Sequence, residues 1–117
     1  MYYRGVKHTR SPISLYTWRK RGKFRYYGSV SQGTDIEYGI GFAYKASVSA
    51  AEYRALLKHF SGREVPIGTS RDNRPPNSLG EWLAGITGVA IASYVGPILV
   101  REGYANPGSK SDLIRFN

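Results

Sequence analysis

Between Ile13 and Val30 apolar and polar residues alternate on either side of Lys20-Arg21-Gly22, and this period of two constrains the fold more than any other feature. A strand turns successive side chains to opposite faces, so such a stretch buries one row and wets the other. The pattern predicts a hairpin in which Tyr16 and Trp18 share one side, and Phe24, Tyr26 and Val30 share a side on the return strand. A three-residue loop Lys20-Arg21-Gly22 pairs Trp18 with Phe24 and Tyr16 with Tyr26. It leaves Gly22 at the left-handed position of a type I turn with a G1 bulge. A two-residue loop would pair Trp18 with Arg25 and scramble both faces. The expected register also sets Arg19 beside Lys23 and Thr17 beside Arg25, with Tyr27 on the same outer face. Like charges opposite one another weaken a bare sheet, and a bound phosphate would relieve them.

Gln32-Gly33-Thr34-Asp35 reads as the next turn and Ile36 to Lys45 as the longest strand. Its apolar face would be Ile36, Tyr38, Ile40, Phe42 and Tyr44; its other face, Gly39, Gly41 and Ala43, is bare enough for a helix to approach closely. Ser49-Ala50-Ala51-Glu52 is a capping box, and Tyr53, Leu56, Leu57 and Phe60 follow at helical spacing until Ser61-Gly62. His59 falls off that stripe, as a solvated residue near the negative helix end. Glu64 to Ile67 predicts a short strand that Pro66 confines to an edge. A second capping box, Ser78-Leu79-Gly80-Glu81, opens a helix with Leu79, Trp82, Leu83 and Ile86 on one face. Val89 to Glu102 predicts a buried third helix, kinked or restarted at Gly96-Pro97. A turn at Asn106-Pro107-Gly108 and a strand at Leu113 to Phe116 close the chain.

These elements add up to an α+β fold: an N-terminal antiparallel sheet packed by about three helices, with a short C-terminal hairpin or wing-like strand. The 117 residues have room for one domain and one core, with a basic β-ribbon over residues 1–34 and a body over residues 35–117.

Charge is divided unevenly between those parts. Residues 1–34 carry eight Lys and Arg and no Asp or Glu, whereas residues 35–117 carry nine basic and eight acidic side chains. A block of one sign is the footprint of a polyanionic partner. Seven aromatic residues in the same block argue against a disordered solubilising tail. The expected function is binding of nucleic acid, DNA ahead of RNA, by the ribbon residues Arg19, Lys20, Arg21, Lys23, Arg25 and Tyr27, with Arg4, Lys7 and Arg10 assisting. Tyr27 and the loop would enter the major groove or stack on unpaired bases. Arg71 and Arg74 give the polar stretch 69–77 the character of a secondary phosphate site, or of a plain connection.

Other chemistry has little footing in the sequence. There is no cysteine, the only imidazoles are His8 and His59, and the carboxylates are scattered or used in caps, so neither a metal nor a cofactor is expected. The start lacks the apolar run of a signal peptide, and Gly88 to Val100 is too short to span a bilayer, which makes a cytoplasmic location the default expectation. A module that meets an acidic protein through the aromatic ribbon is a further alternative.

Two stretches resemble known families. Leu99-Val100-Arg101-Glu102-Gly103-Tyr104-Ala105, with the turn and strand that follow, resembles a winged-helix recognition helix running into its wing. That resemblance covers about 30 residues from Leu83 onward and implies wing contacts from Lys110 and Arg115. Leu15-Tyr16 and Tyr26-Tyr27-Gly28-Ser29 resemble the two-strand signature of GIY-YIG nucleases, with Ser14 in place of the first glycine. The resemblance implies paired tyrosines, Tyr16 and Tyr26, on adjacent strands helping to activate water beside a divalent metal.

Overall fold

The computed structural model describes residues 11–117. Its larger sheet runs β1 (Ile13–Tyr16), β2 (Lys23–Ser29), β3 (Gly33–Tyr38) and β4 (Tyr44–Ser49), each strand antiparallel to the next. Alternation puts Phe24, Tyr26, Ile36 and Val48 on the covered face, where each is buried. Three helices follow, α1 (Ala50–Phe60), α2 (Leu79–Thr87) and α3 (Ala92–Arg101). A second sheet, in the order β5-β7-β6, joins β5 (Glu64–Pro66), β6 (Ala105–Pro107) and β7 (Leu113–Phe116). The fold is α+β, and the buried side chains of both sheets and all three helices form one connected cluster. No single helix among the described residues is long and apolar enough to cross a membrane.

Local signals set the helix starts. The Glu52 N–H donates to Ser49 Oγ at 3.0 Å and the Ser49 N–H donates to Glu52 Oε1 at 2.9 Å, a complete capping box. Ser78 caps α2 in the same way, by accepting from the Glu81 N–H at 3.0 Å. The Glu81 carboxylate, however, accepts from the Asn77 N–H, one residue outside the box. Pro66 lies on an edge strand, where its missing N–H breaks no ladder.

The first hairpin departs from the expected register. Ile13 pairs with Tyr26, Leu15 with Phe24 and Tyr16 with Lys23, so Ile13 and Leu15 face the core and Tyr16 is turned out to solvent. Trp18 causes the shift by leaving the ladder for α3. Its N–H donates to the Ser93 carbonyl at 2.9 Å, and its indole Nε1 donates to the Ser111 carbonyl at 2.9 Å. An indole packed on a helix buries more apolar area than one splayed along a hairpin edge, and this outweighs the forgone ladder bonds. The loop therefore spans residues 17–22, and Lys20 rather than Gly22 takes the left-handed conformation, at φ 59°.

The stretch read as one long strand, Ile36 to Lys45, is two strands folded on each other, with Tyr38 opposite Tyr44. A short 3-10 turn, Ile40–Phe42, makes the reversal, and its Gly41 (φ 64°) and Phe42 (φ 56°) are left-handed. The glycines expected to admit a helix serve this turn instead. The Gln32–Asp35 turn lies earlier than expected, since Gly33 already belongs to β3. Helix α3 starts at Ala92 rather than Val89 and continues through Gly96-Pro97.

Candidate functional site

Two loops and a hairpin tip meet at one end of the larger sheet, and each is held by a specific contact. The 17–22 loop is seated on α3 at Gly96 and Pro97. A Cβ on Gly96 would lie 2.9 Å from the Trp18 ring and 2.7 Å from Ile67, so only glycine lets the indole lie this close. Pro97 has no N–H to give the carbonyl one turn back, that of Ser93, which the Trp18 N–H takes up. Within the loop the Thr17 N–H donates to the Gly22 carbonyl at 2.9 Å and the Arg21 N–H to Thr17 Oγ1 at 3.2 Å. Arg19 reaches across to the second loop, its Nε donating to Thr69 Oγ1 at 3.3 Å.

That second loop, residues 69–77, leaves and rejoins the body at a single point. The Gly80 N–H donates to the Ile67 carbonyl at 2.9 Å, and a Cβ on Gly80 would lie 1.8 Å from the Gly68 carbonyl oxygen. Above this neck the loop is self-braced, as Ser70 Oγ accepts the N–H groups of Asp72 and Asn73. Arg74 Nη1 donates to the carbonyls of Ser70 and Arg71, and its buried Nε has no hydrogen-bond partner among the described residues.

Between the loops lies a groove of about 890 Å³. Arg19, Arg21, Lys23, Arg71 and Arg74 line it, and no described carboxylate does. Its aromatic lining is Tyr38 and Tyr94, stacked with centroids 4.4 Å apart, and Ile40 and Val89 add apolar surface. Burial pushes the Tyr94 phenol upward, an effect opposed by the charge of Arg71. Ala90 and Ser93 bring the start of α3 to the groove, and no side chain caps that helix end. Five cations around one concavity repel each other within a Debye length of about 8 Å, and a polyanion would relieve that repulsion.

The structure divides the residues singled out from sequence. Arg19, Arg21 and Lys23 join Arg71 and Arg74 in the groove, so the stretch read as a secondary site is the opposite wall of the same site. Lys20 is exposed in the loop but does not line the groove. Arg25 and Tyr27 lie on the outward sheet face and are no part of it. The expected pairings of Arg19 with Lys23 and of Thr17 with Arg25 are absent from the ladder: Lys23 stands opposite Tyr16, and Arg25 opposite Ser14 and Glu37. Arg25 Nε meets Glu37 Oε1 at 2.6 Å, Lys45 Nζ meets Glu37 Oε2 at 3.2 Å, and the Arg25 guanidinium lies 4.2 Å from the Phe42 ring centroid. Burial alone would raise the Glu37 pKa, but the hydrogen bonds from Arg25 and Lys45 outweigh it and hold the carboxyl below its ordinary value. Tyr27 stands opposite Asp35, beside a depression of mixed charge that also takes in Glu37 and Lys45. Arg4, Lys7 and Arg10 fall outside the described residues.

The two family-like stretches also have clear places. Tyr16 is exposed on the outer face, whereas Tyr26 is buried on the inner one and donates to Glu102 Oε2 at 2.6 Å, so the tyrosines do not converge. Burial, then the Glu102 carboxylate, pushes the Tyr26 phenol far up, which keeps it a proton donor at neutral pH. In α3 the side chains of Val95, Ile98 and Leu99 are buried in the core, which leaves this helix no base-reading face along that side. Arg115 sits 3.7 Å from Glu64. No group of three or more His, Asp or Glu side chains among the described residues is gathered to hold a metal ion.

Sequence reasoning missed Tyr38, Tyr94, Ile40 and Val89. The signal that could have found Ile40 is Gly39-Ile40-Gly41, a turn flanked by tyrosines two residues out on the one side and four on the other. No protein-family model, curated protein or solved structure matches this chain.

Proposed function

We propose that this protein binds nucleic acid by its phosphates in the groove between the 17–22 and 69–77 loops. The observation that carries the reading is the convergence of Arg19, Arg21, Lys23, Arg71 and Arg74, from two stretches of chain far apart in sequence, on one groove with no carboxylate among its described lining residues. Guanidinium groups offer forked donors that match phosphate oxygens, and each phosphate contact releases condensed counterions. The Tyr38 and Tyr94 rings give bases or sugars an apolar surface between the charges.

The test is a salt-dependent binding titration against duplex DNA, single-stranded DNA and RNA side by side. The double variant Arg19→Glu/Arg71→Glu is expected to lose most of the affinity and to flatten the slope of log K against log salt by roughly 2. Arg54→Glu/Lys58→Glu, on the exposed side of α1, carries the same charge change and is expected to change binding far less. Equal losses from both pairs would reduce the interaction to net charge and remove the groove from the reading.

A further inference from the structure

One element beside the groove has its chemistry inverted. At the β3–β4 tip Ile40 is 95% exposed, the most exposed of the large hydrophobic residues described, and it lines the groove together with the 40%-exposed Val89. A single solvated isoleucine is ordinary. This one is held up by a braced and strained support. Phe42, without a glycine's freedom, is left-handed at φ 56°, and its ring lies 4.2 Å from the Arg25 guanidinium, which Glu37 holds in turn. The Tyr44 ring lies so close across Gly39 that a Cβ there would come within 2.5 Å of it. Tyr44 also stacks on Tyr38 at 5.7 Å, and Tyr38 on Tyr94 at 4.4 Å, which ties the tip to α3. Inside the turn the Phe42 N–H donates to the Gly39 carbonyl at 3.0 Å. The bracing fixes the backbone around Ile40 while leaving its side chain untouched, an arrangement in which strain is spent on presentation rather than packing.

We infer that Ile40 is a wedge that enters between adjacent base pairs of DNA whose phosphates occupy the groove. The inference rests on the phosphate-binding reading above. An apolar side chain driven between base steps unstacks them and bends the duplex, and the cost is offset by the additional phosphate contacts that bent DNA makes with flanking cations. Arg19, Arg21, Lys23, Arg71 and Arg74 are placed to supply those contacts, since they line the same groove as Ile40. The cationic surroundings favour a nucleic acid over an apolar protein surface as the occupant of the tip.

The experiment uses the full chain with duplexes that carry 2-aminopurine at successive positions, and with duplexes labelled at both ends for energy transfer. Wild type is expected to raise 2-aminopurine fluorescence several-fold and to shorten the end-to-end distance. Ile40→Ala is expected to retain binding within several-fold while losing most of the fluorescence rise and the bend; Ile86→Ala, at an exposed apolar residue that does not line the groove, is expected to retain both. Arg19→Glu/Arg71→Glu should lose binding and distortion together. Bound wild type that leaves the duplex stacked and straight, or an Ile40→Ala variant that distorts it as wild type does, overturns the wedge and leaves the phosphate groove standing. Binding to RNA without binding to DNA overturns the wedge in the same way. Failure to bind any nucleic acid, with binding to anionic phosphatidylserine vesicles in its place, overturns both readings.

Discussion

The Trp18 N–H donates to the Ser93 carbonyl at 2.9 Å, and Ser93 is the residue whose helical partner would have been the absent N–H of Pro97. A proline inside a helix ordinarily counts as a defect. Here it creates a vacancy that a loop from the opposite end of the chain fills, and Gly96 beside it clears the space for the indole. The groove's first wall depends on this pair.

Pro97→Ala restores the helical donor and removes a helix-interior penalty of about 3 kcal/mol. It also sets the new N–H in competition with Trp18 for the same carbonyl. The expected result is a thermal midpoint no lower than wild type, together with weaker nucleic-acid binding as Arg19 and Arg21 lose their fixed placement. Calorimetry and a binding titration on one preparation check it; a variant that binds as wild type does would detach the loop's position from α3.

How far the sequence reached follows from where each signal resides. Ser49 and Glu52, or Ser78 and Glu81, state a helix start within four residues, so both starts were legible. The edge placement of β5 was legible for the same reason, through Pro66. The hairpin register was not, because the deciding contact joins Trp18 to residues 93 and 111, and nothing local to residues 13–30 announces it. Gly39 and Gly41 were noticed but misassigned, since a glycine that admits a neighbour and a glycine that reverses the chain look alike in one dimension. In the groove, clustering of Arg19, Arg21 and Lys23 was visible as charge along the chain. Their meeting with Arg71 and Arg74 was not, nor was the loss of Arg25 to Glu37, since both depend on which distant strands and loops become neighbours.

Gly80→Ala places a methyl within covalent range of the Gly68 carbonyl, so the neck of the 69–77 loop must open. Destabilisation of about 3 kcal/mol or more is expected, with chemical denaturation as the measure. If some of the variant folds, its remaining affinity for DNA should resemble that of a protein lacking Arg71 and Arg74.

Stability should fall in acid through Glu37. Its carboxyl titrates below the ordinary value of 4.5 when folded, so it adds stability above 4.5 that fades as pH drops through the lower folded value. Glu37→Gln should remove that part of the acid limb and, at neutral pH, lower stability by on the order of 1 kcal/mol, as Arg25 and Lys45 are both partly solvated. Thermal melts of both proteins between pH 3 and pH 7 test this, and parallel curves would speak against it.

Tyr26→Phe deletes the 2.6 Å donor to Glu102 and leaves that carboxylate with the Val30 N–H. A loss of about 1–3 kcal/mol is expected, without change in nucleic-acid binding, because neither residue lines the groove. Since Tyr16 and Tyr26 are on opposite sides of the sheet, any cleavage of plasmid or RNA in magnesium is expected to persist in Tyr16→Phe at wild-type rate. Its disappearance there would restore the tyrosine-pair reading.

The neck between Gly68 and Gly80 has a consequence for how such a protein can change. The chain enters and leaves the 69–77 excursion at one point, so apart from the contacts of Thr69 with Arg19 and of Asn77 with Glu81 the frame beneath senses the closure rather than what is enclosed. Residues can be exchanged, added or removed beyond that closure at little expense to folding. One wall of the groove is in effect a replaceable cassette. Transplanting other loops onto the Gly68 and Gly80 junction is thus a direct route to altered preference among polyanions while the rest of the molecule is left as it is.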